Sequence, residues 1–180
     1  MTVMTVLEVP DPRLRLVAEP VDTVDDSIRT LVADMIETMY DFNGIGLAAT
    51  QVGVQKRVLV IDLQEEKDEE DKPIKAPKAY INAEILSVSD EMSTYNEGCL
   101  SIPEQYAEVA RPSRCVVKWL DETGAAFEEE LDGLLSTCMQ HEIDHLDGVL
   151  FIDHISKLKR DRVVKKFTKI AKEKERDGEV

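Results

Sequence analysis

The sequence predicts an α+β fold: mainly antiparallel sheets packed around a central buried helix that carries His-Glu-x-x-His, with an amphipathic C-terminal helix. Three observations carry this. Helical periodicity occurs near both ends and once in the middle, while several short strand-like runs separated by turn residues fill the space between. The strands do not alternate with helices, so a parallel βαβ sheet is not expected. Between Asp132 and Gly148, Leu134, Leu135, Cys138, Met139, Ile143 and Leu146 point in nearly every direction, the pattern of a buried helix. With 180 residues, no internal repeat and no linker, residues 1–180 are expected to form one catalytic domain.

Taken in order, Pro10-Asp11-Pro12 is a turn, and Leu14 to Ala18 reads as a short helical piece. Ile28, Leu31, Val32, Met35, Ile36 and Met39 recur at helical spacing, which predicts a helix from Asp25 to Tyr40 ended by Asn43-Gly44. Gly44 to Gly53 keeps its backbone bare and reads, on composition alone, as a Gly-rich turn entering a strand. Arg57 to Leu63 is a strand, and the charged stretch Gln64 to Lys78 is a solvated loop. Further strands are predicted at Tyr80 to Ser89, Met92 to Glu97, Tyr106 to Arg111, Cys115 to Leu120 and Ala125 to Leu131. Pro103 argues against a central strand between Glu97 and Pro103. The middle helix has Asp132 as its N-cap candidate and Gly148 as its stop. From about Ser156 to Arg176 a last helix offers Leu158, Val163, Val164, Phe167 and Ile170 as an apolar stripe.

Hydrophobic content of 43% and charged content of 33% are those of a soluble globular chain, and no apolar run approaches a membrane span. The N-terminus lacks the basic and apolar regions of a signal peptide. Three cysteines in such a chain read as thiols or ligands rather than disulfides. The net charge of −15 is unevenly placed. Residues 157–176 hold ten Lys/Arg against three Asp/Glu, a net of +7, and the rest of the chain holds twelve against thirty-four, a net of −22.

The chemistry concentrates in His141-Glu142-Ile143-Asp144-His145. Positions i and i+4 share a helix face, so His141 and His145 can aim their imidazoles at one divalent metal. Glu142 then sits beside the metal rather than in its coordination shell, where a general base for a bound water belongs. A catalytic site of this kind takes a third protein ligand. Phe151 occupies the position where the metzincin pattern requires a third His, so that class is excluded. Glu173 and Glu175 lie in the basic tail. Among the cysteines, Cys138 shares the helix with both His residues and Cys115 has an ordinary core reading, while Cys99 sits in a Gly-flanked loop that presents a thiolate freely. Position favours Cys99 without deciding it. Glu97 has two readings: orienting a His ligand or pairing with Arg111, or a plain surface carboxylate.

Three segments together resemble the motifs of peptide deformylases: Gly44-Ile45-Gly46-Leu47-Ala48-Ala49-Thr50-Gln51, Glu97-Gly98-Cys99-Leu100-Ser101 and Gln140-His141-Glu142-Ile143-Asp144-His145. The resemblance implies removal of the formyl group from formyl-methionyl nascent peptides. It implies a metal held by Cys99, His141 and His145, most often Fe(II), with zinc or nickel able to substitute, a set that suits soft sulfur. It further implies that Gln51 and the Leu100 N–H bind the formyl oxygen, and that Ile45, Gly46 and Gly98 offer backbone groups to an extended peptide. Ile45, Leu134, Thr137 and Cys138, with the His141 ring, would wall the methionine pocket. Tyr106 departs from the Arg that some bacterial members carry, which leaves contacts to later substrate residues open. The expected compartment is the bacterial cytoplasm or an organelle of bacterial descent. Expected partners are the formyl-peptide and, through the basic helix, a weak contact with ribosomal RNA; neither membrane nor DNA is expected. The rival class is a non-enzymatic binding module with a closed zinc site of Cys99, Cys138, His141 and His145.

Overall fold

The computed structural model describes residues 2–177. Its centre is α2 (Gly133–Leu146), in which Ser136 through Ile143, His145 and Leu146 are all buried. One side of α2 packs on a five-stranded antiparallel sheet. That sheet contains β1 (Gly46–Ala48), β2 (Val58–Ile61), β3 (Lys78–Val88), β6 (Cys115–Leu120) and β7 (Ala126–Leu131), in that order. The other side faces a separate two-stranded ribbon, β4 (Met92–Cys99) with β5 (Ile102–Pro112). Fold class is therefore as the sequence predicts.

Strand β2 shows why its sequence is a continuous apolar run. Leu59 and Ile61 turn toward Cys138, Met139, Ile143 and Leu146 of α2, while Val58 and Val60 turn toward α1 (Asp26–Asp41) on the opposite face. A strand covered on both faces has no polar side to alternate with. Helix α1 buries Ile28, Val32, Met35 and Met39 at steps of three and four. Its N-cap is Asp25, whose carboxylate accepts the Ser27 and Ile28 N–H groups at 2.9 and 3.1 Å. At the far edge of the sheet, β7 presents Glu128, Glu129 and Glu130 to solvent, a charged edge that resists pairing with another chain.

A third apolar cluster lies on the other side of the ribbon. Leu7, Val9 and Leu14 meet Ile102 and Val109 of β5, Phe151 and Ile152 of the 3-10 turn Phe151–His154, and Phe167 of α3 (Lys157–Asp177).

Five expectations change. The short helical piece is a 3-10 turn at Pro12–Arg15, set by Asp11 accepting the Arg13 N–H at 2.9 Å and by Pro12 at its first position. The Gly-rich stretch is itself strand β1, paired with β2, followed by a 3-10 turn at Ala49–Val52; pairing overrides the low strand propensity of glycine. Strand β5 begins at Ile102 and includes Pro103, which a two-stranded ribbon tolerates because both its strands are edges. Asp132 does sit at the N-cap of α2, its carbonyl accepting the Ser136 N–H at 3.0 Å, but its side chain makes no capping bond. Leu158 is exposed rather than part of the α3 stripe: nine residues from Phe167 is half a turn out of phase, so it faces away. The C-terminal stop of α2 is as read. Gly148 has φ +74, its N–H reaches the His145 carbonyl at 3.2 Å, and the Val149 N–H reaches Asp144 at 2.9 Å.

Candidate metal centre and substrate cleft

Cys99 ends β4 at a register break, where it pairs with Ile102 after Gly98 pairs with Tyr106. The break turns its thiol onto α2. Cys99 Sγ lies 3.2 Å from His145 Nε2, and His145 Nε2 lies 3.2 Å from His141 Nε2. The three ligand atoms fall within 4.8 Å of one another. Cys138 does not join this group among the described residues; it lies in the cleft wall, its sulfur 4.0 Å from the Ile45 carbonyl. Without a fourth protein ligand the closed zinc site has no support.

The donor set fits a divalent metal. Glu97 Oε2 accepts from His141 Nδ1 at 2.9 Å, which turns His141 Nε2 toward Cys99 and His145. Burial lowers the His141 pKa, but its bonds with Cys99 and Glu97 outweigh burial and hold it well above the ordinary value, the mark of a site that favours positive charge at Nε2. Burial, and then the positive charge on His141, push His145 well below its ordinary pKa, so its imidazole is held neutral. Two imidazole nitrogens and a sulfur converging in a buried space repel one another unless a cation or proton sits among them.

Glu97 is buried and paired, so the surface-carboxylate reading falls. Arg111 donates to it twice, at 2.6 and 3.0 Å. Burial raises the Glu97 pKa, but the bonds from His141 and Arg111 outweigh it and hold the carboxyl below its usual range. Arg111 also donates to Asp144 at 2.8 Å, and Asp144 meets His154 Nε2 at 2.8 Å. A polar chain thus runs from His141 through Glu97, Arg111 and Asp144 to His154 at the surface. Sequence reasoning missed Asp144 and His154. Asp144 stands three residues from His141, but nothing local marks its partner.

A cleft of about 570 Å³ opens beside this centre. Ile45, Gly46, Gln51, Gly98, Leu100, Leu134, Thr137, Cys138 and Glu142 all line it, as does the His141 ring. Gln51 is fixed from both ends: its Oε1 accepts the Ala48 N–H at 2.9 Å, and its Nε2 donates to Ser101 Oγ at 3.1 Å and Cys99 Sγ at 3.3 Å. Ser101, fully buried, is a third residue to which sequence reasoning assigned no role. Glu142 is 4% exposed, and its Oε2 is buried without a hydrogen-bond partner. Burial pushes its carboxyl up to about 7. A carboxyl of that kind beside a metal suits proton transfer near neutral pH.

Comparison with known proteins places the chain among relatives. The family model described as polypeptide deformylase matches residues 3–161. A peptide deformylase of Rhizorhabdus wittichii is 63% identical over 169 residues, covering 94% of this chain and 96% of the relative. One from Nitrobacter hamburgensis is 56% identical over 172 residues, covering 96% and 98%. The crystal structure of peptide deformylase from Ehrlichia chaffeensis in complex with actinonin superposes with a TM-score of 0.84 at 44% identity, covering 94% of this chain and 98% of that one. The chain belongs to the polypeptide deformylase family, metal-dependent hydrolases that remove the N-terminal formyl group from nascent peptides.

Proposed function

We propose a division of labour for this reaction within a catalytic unit formed by residues 1–180. Cys99, His141 and His145 hold one divalent metal, Fe(II) in the cell, with zinc or nickel as substitutes; a thiolate with two imidazoles suits these ions better than magnesium or calcium. When bound, the metal supplies Lewis acidity, which acidifies water and polarises a carbonyl. Glu142 takes a proton from the attacking water at its carboxylate. The water oxygen bonds to the formyl carbon, the C–N bond breaks, and Glu142 returns the proton to the leaving amine. Gln51 Nε2 and the Leu100 N–H stabilise charge on the formyl oxygen; one such donor is worth roughly 2.7–4 kcal/mol in the transition state. Ile45, Gly46 and Gly98 offer backbone groups to the extended peptide, and Leu134, Thr137 and Cys138 accept the methionine side chain.

The observation that carries this reading is the convergence of Cys99, His141 and His145 beside the unpartnered carboxylate of Glu142. The test is formate release from formyl-Met peptides by anaerobically purified protein with its metal quantified. Iron as native metal predicts activity that fades in air, and a nickel form that does not.

The enzyme acts in the cytoplasm of a bacterium or in an organelle of bacterial descent. Among the described residues no helix is long and apolar enough to cross a membrane. Helix α3 keeps Lys159, Lys165, Lys166, Lys169 and Lys172 exposed. In an otherwise acidic protein these give one orientation in which ribosomal RNA attracts rather than repels. Co-sedimentation with ribosomes at low salt, lost when Lys165, Lys166 and Lys169 become Glu, tests this; no binding at low salt leaves a solvated helix face.

A further inference from the structure

The polar chain behind the metal centre ends at His154, a residue that the reaction does not use. Its members come nearer the surface step by step. The side chains of Glu97 and Arg111 are 5% exposed, that of Asp144 25% and that of His154 36%. Asp144 stands on α2 between His141 and His145, and its carboxylate meets β5 and the 3-10 turn Phe151–His154. One oxygen, Oδ2, takes both contacts: Arg111 Nη1 at 2.8 Å and His154 Nε2 at 2.8 Å. Burial raises the Asp144 pKa, but the bond with His154 and the charge and bond of Arg111 outweigh it and hold the carboxyl below its usual range. An ionised carboxylate only accepts, so His154 Nε2 carries the proton and donates it. The adjoining Asp153 does not compete for this ring, because Arg15 and the Leu150 N–H hold it.

Arg111 is thereby fixed at three points. Its Nε and Nη2 fork onto Glu97, and its Nη1 reaches Asp144. One of the two atoms it forks onto is Glu97 Oε2, the same oxygen that accepts from His141 Nδ1. A planar guanidinium pinned at its third corner cannot swing, so it sets the plane of the Glu97 carboxylate. Without His154, Asp144 is free to turn to water and release that corner. On the reading that Cys99, His141 and His145 hold one metal, we propose that His154 is a positioning residue for that metal: from the surface, through Asp144, Arg111 and Glu97, it fixes the direction of the His141 ring. The plainer role, tying the 3-10 turn to α2, accounts for the contact with Asp144 and leaves metal affinity untouched.

The test is the dissociation constant for Zn(II), measured anaerobically on reduced protein by competition with a chelating indicator. His154→Leu, a partly exposed change of similar size, should raise it about tenfold, the low end of the range for groups that orient metal ligands. His154→Gln should recover most of that loss, because its amide N–H donates from the place of ring Nε2 without a charge. In a Glu97→Gln background His154→Leu should add nothing, since the link that transmits it is already broken. A zinc constant in His154→Leu within about twofold of wild type overturns the proposal, the more plainly if urea unfolds the metal-free variant earlier, which is the mark of a mere tether. So does a Gln variant as weak as Leu, or a loss that persists in full beside Glu97→Gln. Wild-type protein that binds no zinc overturns the metal reading and this proposal with it, whereas equal binding by wild type and His154→Leu leaves that reading standing.

Discussion

The carboxylate of Glu142 lies where a side chain on Gly46 would begin: a Cβ there would come 2.5 Å from Oε1 and 3.0 Å from the Cys138 sulfur. The bare backbone of β1 and the base on α2 are thus fitted to each other. Gly46→Ala must push Glu142 away from the reaction centre. A misplacement of this order costs about a hundredfold in rate. The expected result is that loss in kcat/KM with metal content unchanged. Full activity in Gly46→Ala would mean that the carboxylate has freedom to move.

Metal content separates ligand from base. Cys99→Ala should purify with little metal, whereas Cys138→Ala should retain it, since Cys138 faces the cleft wall and the Ile45 carbonyl. Glu142→Ala should keep its metal and lose turnover by about 10²–10⁴-fold, the range for a general acid–base. A metal-free Glu142→Ala would move Glu142 into the coordination shell.

Arg111→Ala tests the buried charge chain. Both Arg111 and Glu97 are 5% exposed at the side chain, so the substitution strands a buried carboxylate. Breaking such a pair costs about 3–5 kcal/mol. Metal affinity should fall as well, by about 10–100-fold, because Glu97 then orients His141 less firmly. Urea denaturation and metal titration read the two effects, and a stability loss under about 1 kcal/mol would show that Glu97 finds another partner.

Asp62 gives a pH-dependent case away from the site. It accepts the Tyr40 hydroxyl and the Gln64 and Ala76 N–H groups, the latter two at 2.9 Å. Burial raises its carboxyl pKa, but these bonds outweigh burial and hold it below 3.8. A depressed folded pKa stabilises the fold above the unfolded value and is lost as pH falls through the folded one. Asp62→Asn should therefore cost about 1–3 kcal/mol at pH 7, a deficit that closes as pH drops below 3.8. A deficit that stays constant down to pH 2 would exclude the ionised carboxylate as its source.

What could be read from the sequence follows the range of the interactions. His141 and His145 are legible as a pair because four residues on a helix are neighbours without any tertiary information. Helix α1 and strand β2 are legible for the same reason: their periodicities are local. The partner cysteine is not. Three cysteines were candidates, and that Cys99 is the one to reach His145 depends on a register break between β4 and β5 that no local pattern announces. Glu97, Asp144 and His154 form one chain across segments up to 57 residues apart, so Glu97 had two readings and His154 none. Strand β1 was hidden by its own glycine, whose job is to make room for Glu142 rather than to favour a strand.

The β4–β5 ribbon shares no ladder with the five-stranded sheet. Two strands alone are marginal in water, so this ribbon depends on what its side chains grip. Both grips lie toward its turn end: Ile102 and Val109 sit in the apolar cluster with Phe151 and Phe167, while Cys99 and Glu97 reach α2. A metal held by Cys99, His141 and His145, as proposed above, would therefore latch this ribbon to α2 as well as supply chemistry. Ligand binding stabilises the closed form in proportion to the logarithm of free metal over its dissociation constant. Scarcity of metal should then loosen the ribbon before it loosens the sheet, with faster amide exchange in Glu97 to Ala107 than in Val58 to Ile61. On this reading the strands that line the cleft would also be the first to open, so metal supply would govern how long that wall stays shut as well as how fast the chemistry runs.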